Sequence, residues 1–249
     1  MTLDAPEQRP LVFDLGTGLR YCGAQIPATG PFSGICLLTH MHWDHVQGLP
    51  FFVPTLRDGA SFDIYAPAQA DGRSVEQVFD EMIKPPMFPV PLKALPGNFR
   101  FHDVADDDFD VDDFEVRSRL VPHVGNTLGF RVSYRGSTVT YLPDHQMPTD
   151  GSLSMTDGAR ALCEDADVLI HDAQYTPAEF ASKNDWGHCT IDYAVWVAVQ
   201  CRVKTLVLFH HDPSRCDDEL DRLFESARCE GERHGVRVVA AREGLQVEL

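Results

Sequence analysis

Apolar positions fall in short blocks, closed by glycine, proline or acidic residues, and few of them show a long helical period. "PLVFDLGTG" predicts a buried strand from Leu11 to Leu15 that ends in a glycine turn, and "SGICLLTH" a second that delivers His40 at its carboxyl end. "DIYAP" predicts a third strand, and "GRSVEQVFDEMI" a helix stopped by Pro85 and Pro86. The proline-rich "KPPMFPVPLKALPG" is excluded from regular structure and reads as a wall or lid loop, because strand-like sequence resumes directly after it. The acidic run Asp106 to Asp113 reads as a solvated turn, followed by a strand to about Val121. In "TLGFRVSYRGSTVTYLPD" two alternating strands flank Arg135-Gly136, a hairpin whose second strand leads to Asp144. "ADVLIHD" and "VKTLVLFHHD" are further strands, preceded by the helical stretches "DGARALCED" and "TIDYAVWVAVQC". "DDELDRLFESARCEGERHG" is an amphipathic helix with Leu220, Leu223, Phe224 and Ala227 at helical spacing. With no linker between these blocks, residues 1–249 read as a single domain of mixed α/β class.

Metal-capable side chains recur at the ends of these strands. His40, His42, Asp44 and His45 follow one, His123 ends another, and Asp144 and His210 each close one more. The carboxyl ends of strands are where layered α/β proteins build their sites. Neutral imidazole and carboxylate suit zinc, manganese or iron, and an incomplete protein shell leaves room for water, as catalytic sites require. A lone H-x-H is weak evidence; H-x-H-x-D-H with later His, Asp and His at strand ends is strong.

The H-x-H-x-D-H stretch, with "FDLGTG" before it and "PHVGNTLGFR", "YLPD" and "VLFHHD" after it, resembles the metallo-β-lactamase superfamily from about Leu11 to Val247. That resemblance implies an αββα four-layer sandwich with two divalent metal ions, zinc first and manganese or iron as alternatives. One ion would take His40, His42 and His123, the other Asp44, His45 and His210, with Asp144 bridging. Asp14 would tie the glycine turn to the motif loop. His210 is preferred to His211 as the ligand, because neighbours on a strand face opposite ways. "LIHDAQY" and "WGHCT" are similar to the branch that holds ribonuclease Z and related phosphodiesterases, which implies that His188, oriented by Asp172, transfers a proton. The alternative for His188 is a cap of the helix beside Thr190. His145 lines the pocket or is inert, and His102 and His234 read as surface residues. The strands that usually precede "FDLGTG" are replaced by a short polar stretch, and Val124 stands where proline is common; neither change touches an expected ligand.

Composition narrows the substrate. The formal charge of −17 opposes binding of a nucleic-acid polymer or an anionic membrane surface over most of the protein. Two divalent ions less Asp44, Asp144 and a hydroxide leave the site itself positive by about one charge, enough to hold a small anion. The expected activity is hydrolysis of a small phosphodiester, such as a cyclic nucleotide, by attack of a metal-bound hydroxide. The alternatives are hydrolysis of a lactone or thioester and, more remotely, a metal-binding module without catalysis. Seven scattered cysteines, the absence of a long apolar span and no secretory pattern at the start suggest a cytoplasmic protein.

Overall fold

A computed structural model describes all 249 residues, and they divide into two compact units, Met1–Ala105 and Asp106–Leu249. Each unit is built on one sheet with helices, so the mixed α/β class is borne out.

In the first unit, β1 (Thr2–Leu3), β2 (Leu11–Phe13), β3 (Ser33–Leu37), β4 (Ser61–Pro67) and β5 (Asn98–Val104) lie side by side in that order. All pairs are parallel except β1 with β2. The short polar start is a two-residue edge strand. Helix α1 (Leu19–Gln25) leaves the glycine turn, and α2 (Trp43–Val46) is a single turn inside the histidine motif. Helix α3 (Val75–Met82) begins at a capping box of Ser74 and Gln77. Val12, Leu38, Val46, Leu49, Phe52, Phe62, Ile64 and Phe79 join one buried cluster in this unit. The proline-rich stretch is irregular as expected, save one 3₁₀ turn at Leu92–Ala94.

In the second unit, β6 (Asp108–Val111), β7 (Phe114–Leu120), β8 (Leu128–Tyr134) and β9 (Ser137–Leu142) form an antiparallel meander. The sheet continues in parallel through β10 (Val168–Asp172), β11 (Thr205–Phe209) and β12 (Arg237–Ala240). Helices α4 (Asp157–Cys163), α5 (Pro177–Lys183), α6 (Ile191–Gln200) and α7 (Asp217–Arg233) supply the crossovers. The predicted hairpin is present, with Tyr134 opposite Ser137 and both turn residues at positive φ, 48° for Arg135 and 85° for Gly136.

The acidic run is a correction. Asp108–Val111 is a strand rather than a solvated turn, with Val111 buried and Asp108 and Asp110 exposed. It is the sheet's outermost strand, and exposed charges on such an edge oppose pairing with another chain. Asp108 is held by Arg119 at 2.8 Å.

Candidate metal centre

The two units each carry a cluster of ligand-type side chains, and each is described on its own. In the first, the chain leaves β3 into Thr39, His40 and the α2 turn. Asp14, directly after β2, adopts a left-handed conformation (φ 56°) and is buried. Its carboxylate accepts the Thr39 backbone N–H at 2.7 Å and the Thr39 hydroxyl at 2.9 Å, and lies 2.7 Å from His45 Nδ1. Burial alone would raise the Asp14 pKa; the His45 imidazole and these hydrogen bonds outweigh it and hold the carboxyl below its usual range.

These contacts decide two tautomers. A carboxylate only accepts, so His45 carries its proton on Nδ1 and turns the Nε2 lone pair outward, 3.3 Å from Asp44 Oδ2. The Thr39 hydroxyl gives its proton to Asp14, so its oxygen accepts from His40 Nδ1 at 3.0 Å. His40 Nε2 is therefore also a lone pair, 2.8 Å from His42 Nδ1. At that distance two imidazole lone pairs repel unless a proton or a cation is shared between them. His40 and His45 are buried, whereas His42 and Asp44 are exposed.

In the second unit His123 Nδ1 donates to the Gly187 carbonyl at 2.7 Å, which leaves Nε2 facing Asp144 Oδ2 at 3.5 Å. His210 Nε2 faces the other oxygen, Asp144 Oδ1, at 3.4 Å. Two donors about 2.0–2.1 Å from one tetrahedral ion lie about 3.3–3.4 Å apart. The His45–Asp44, His123–Asp144 and His210–Asp144 separations of 3.3, 3.5 and 3.4 Å match that edge, so the donor sets fit divalent ions in both spacing and chemistry. His210 faces Asp144 for a different reason from the one expected. Strand β11 ends at Phe209, and His210 is a left-handed residue (φ 53°) beyond it, so strand alternation does not decide its direction. His211 turns away, with Nε2 3.3 Å from the Ala241 carbonyl.

His188 Nδ1 lies 2.8 Å from Asp172 Oδ2. Asp172 is fully buried at the end of β10, and also accepts the backbone N–H groups of His145 and Gln174 at 3.1 and 3.0 Å. The His188 ring stacks on His210, with centroids 5.0 Å apart, and meets His123 edge-on at 5.3 Å. Asp144, His188 and His210 each present a ligand-type atom within 4.8 Å of the others. Thr190, and not His188, caps α6, accepting from Tyr193 N at 3.1 Å.

Sequence reasoning missed the support behind Asp172. His171 Nδ1 donates to the Asp172 carbonyl at 2.7 Å, so its Nε2 accepts from His145 Nδ1 at 2.9 Å. Burial lowers the pKa of both rings, and they remain neutral packing partners rather than charged groups. His102 is half-buried rather than a free surface residue, stacked 4.3 Å from Tyr65 and 3.2 Å from Asp63. His234 is exposed, as expected.

A family model described as the β-lactamase superfamily domain matches residues 21–211, a span that includes every expected ligand. The chain belongs to that superfamily, and it is a hydrolytic enzyme. Ribonuclease Z of Salinibacter ruber is 25% identical over 87% of this chain and 82% of its own length. The metallo-β-lactamase fold protein YhfI from Bacillus subtilis superposes with a TM-score of 0.71 at 19% identity, covering 98% of this chain and 89% of that one. Zn²⁺-bound PqqB from Methylobacterium extorquens gives 0.70 at 19% identity, covering 100% and 86%. The likeness to these two structures concerns the fold. No helix is long and apolar enough to cross a membrane.

Proposed function

We propose that residues 1–249 act as one catalytic domain, in which His40, His42 and His123 hold one divalent ion, Asp44, His45 and His210 hold a second, and Asp144 bridges them. Zinc suits this imidazole and carboxylate set, with manganese or iron as alternatives. Each half has its tautomers set by neighbours, which leaves the lone pairs outward as metal ligands require.

The proposed reaction is hydrolysis of a phosphodiester. The observation that carries it is the 2.8 Å contact between His188 and Asp172, beside Asp144 and His210. Asp172 holds the His188 Nδ1 proton, so Nε2 is the nitrogen that can pass a proton to a departing oxygen. A buried carboxylate on the far side stabilises the imidazolium that must exist before that transfer. Divalent ions in the cradle would supply Lewis acidity and bring the pKa of an attacking water toward about 7. A thioester releases a thiolate that departs without a proton and has little use for this donor; a lactone releases an alkoxide and is the carbonyl alternative that remains.

A small diester is favoured because a protein of net charge −17 repels a polyanion. RNA as the diester is the second reading, favoured by the ribonuclease Z relative. A panel of bis(p-nitrophenyl) phosphate, cyclic nucleotides, a structured RNA, a lactone and a thioester, assayed with zinc, manganese and iron, tests both. Turnover of small diesters supports the proposal. RNA cleavage alone would move it to the second reading, and lactone or thioester hydrolysis without diesterase activity would overturn it.

A further inference from the structure

Gln146 stands two residues beyond Asp144 and is half-buried. Its backbone N–H donates to the Pro122 carbonyl at 2.7 Å, next to His123. Its side-chain oxygen accepts the Gly187 N–H at 2.7 Å. Its NH₂ group points at the carbonyls of Met147, Asn184 and His188, at 2.7, 2.9 and 3.1 Å. The amide orientation follows from these partners, because reversal would set NH₂ against an N–H and oxygen against three carbonyls.

The same loop carries two functional contacts. The Gly187 carbonyl fixes His123 through Nδ1, and His188 reaches Asp172 from the next position. A primary amide supplies an acceptor oxygen beside an NH₂ with two donor hydrogens, a pair no other uncharged side chain offers, and asparagine is one methylene too short to span the same partners. An apolar side chain of equal length would fill the space and hold none of them.

We infer that Gln146 is a positioning residue: its amide clamps the 184–188 loop so that His188 stays on Asp172. The inference rests on the reading of His188 as proton donor. The amide makes no hydrogen bond to the His123 or His188 ring, so it acts through the loop backbone at Asn184, Gly187 and His188.

The test compares Gln146→Met, which removes the hydrogen bonds at nearly constant length, with Gln146→Glu, which keeps the acceptor but sets a carboxylate oxygen against the carbonyls. Both should slow a phosphodiester with an alkoxide leaving group by about 10–100-fold in kcat, and a p-nitrophenyl diester less than about threefold, with metal content unchanged. In a His188→Ala background, Gln146→Met should cost less than about a further twofold, because coupled residues are not additive. Nitrogen NMR of labelled histidine should show the His188 Nδ1–H signal broadened or lost in both variants. Equal losses on both leaving groups, full additivity with His188→Ala, an unchanged His188 signal, or unfolding of both variants would each overturn the inference. If His188→Ala discriminates between leaving groups and Gln146→Met does not, only the positioning role fails. If His188→Ala itself does not discriminate, the reading of His188 fails and this inference falls with it.

Discussion

Asp14→Asn isolates the chemistry of one buried carboxylate. Asparagine tolerates the left-handed backbone of this position (φ 56°), whereas alanine would add about 1–2 kcal/mol of backbone strain. The amide has one acceptor where the carboxylate has two. With its oxygen on Thr39, its NH₂ faces His45 Nδ1 and drives that ring to the opposite tautomer, with the proton on the nitrogen meant for metal. With its oxygen on His45, the Thr39 N–H and hydroxyl lose their acceptor, and with them the contact that orients His40. Either way one charge-assisted bond is lost, at about 1.5–3 kcal/mol of stability. Loss of a partner that orients a ligand costs about 10–100-fold in metal affinity. Because Asp14 serves His40 and His45, which belong to different ions in the proposed assignment, both should weaken. Urea melts of metal-free protein and chelator competition on loaded protein read the two quantities separately. Affinities within about twofold of wild type at both sites, with stability changed by less than about 0.5 kcal/mol, would refute the reasoning.

His188→Ala should keep its metal and lose about 10²–10⁴-fold on diesters with poor leaving groups, but much less on nitrophenyl esters; Asp172→Asn should show a milder form of the same pattern. Loss of bound metal in His188→Ala would instead make His188 a ligand, which its place beside Asp144 and His210 allows. Gly187→Ala should destabilise the protein by about 1–3 kcal/mol, because φ is 96° there, and should also lower metal content, because the new Cβ meets His123 Nδ1; thermal melts and metal analysis check the pair of effects. Asp63 is buried, which would raise its pKa, but hydrogen bonds from Arg100 and Arg9 and the His102 ring depress it far below the usual carboxylate range. A depressed folded pKa gives stability that is present above the unfolded value, about 3.9, and is lost as pH falls toward the folded one. Asp63→Asn should therefore be clearly less stable than wild type at pH 7, and the gap should narrow below about pH 4; a gap constant down to about pH 2 would contradict the ion-pair origin.

Much of this site was legible because ligand-type side chains of each cluster stand at strand ends, where short apolar blocks stop and His or Asp begins. His40, His45 and Asp144 follow from that pattern, whereas the roles of Asp14 and of the Asp172–His188 pair came from the family resemblance. What lay outside the pattern depends on contacts between residues distant in sequence. Gln146 reaches Asn184, and His145 meets His171; nothing within a few residues of either signals the contact. Thr39 looks like an ordinary strand-end threonine until Asp14 takes its proton. His210 rather than His211 faces Asp144, but not for the expected reason, since a left-handed residue past β11 does not follow strand alternation. Strand β6 was hidden by its aspartates, because an edge strand with one wet face shows few apolar positions. Helix α5 could have been found, since Thr176 and Glu179 form a capping box with proline at the first helical position.

Metal stoichiometry after exhaustive exchange into zinc-containing buffer tests the central claim most directly. The account predicts two ions per chain in the wild type, near one in His42→Ala, and severe loss of both in Asp144→Ala, whose two oxygens face His123 and His210. A single ion per chain that survives removal of Asp144, or no tight binding at all, would contradict it.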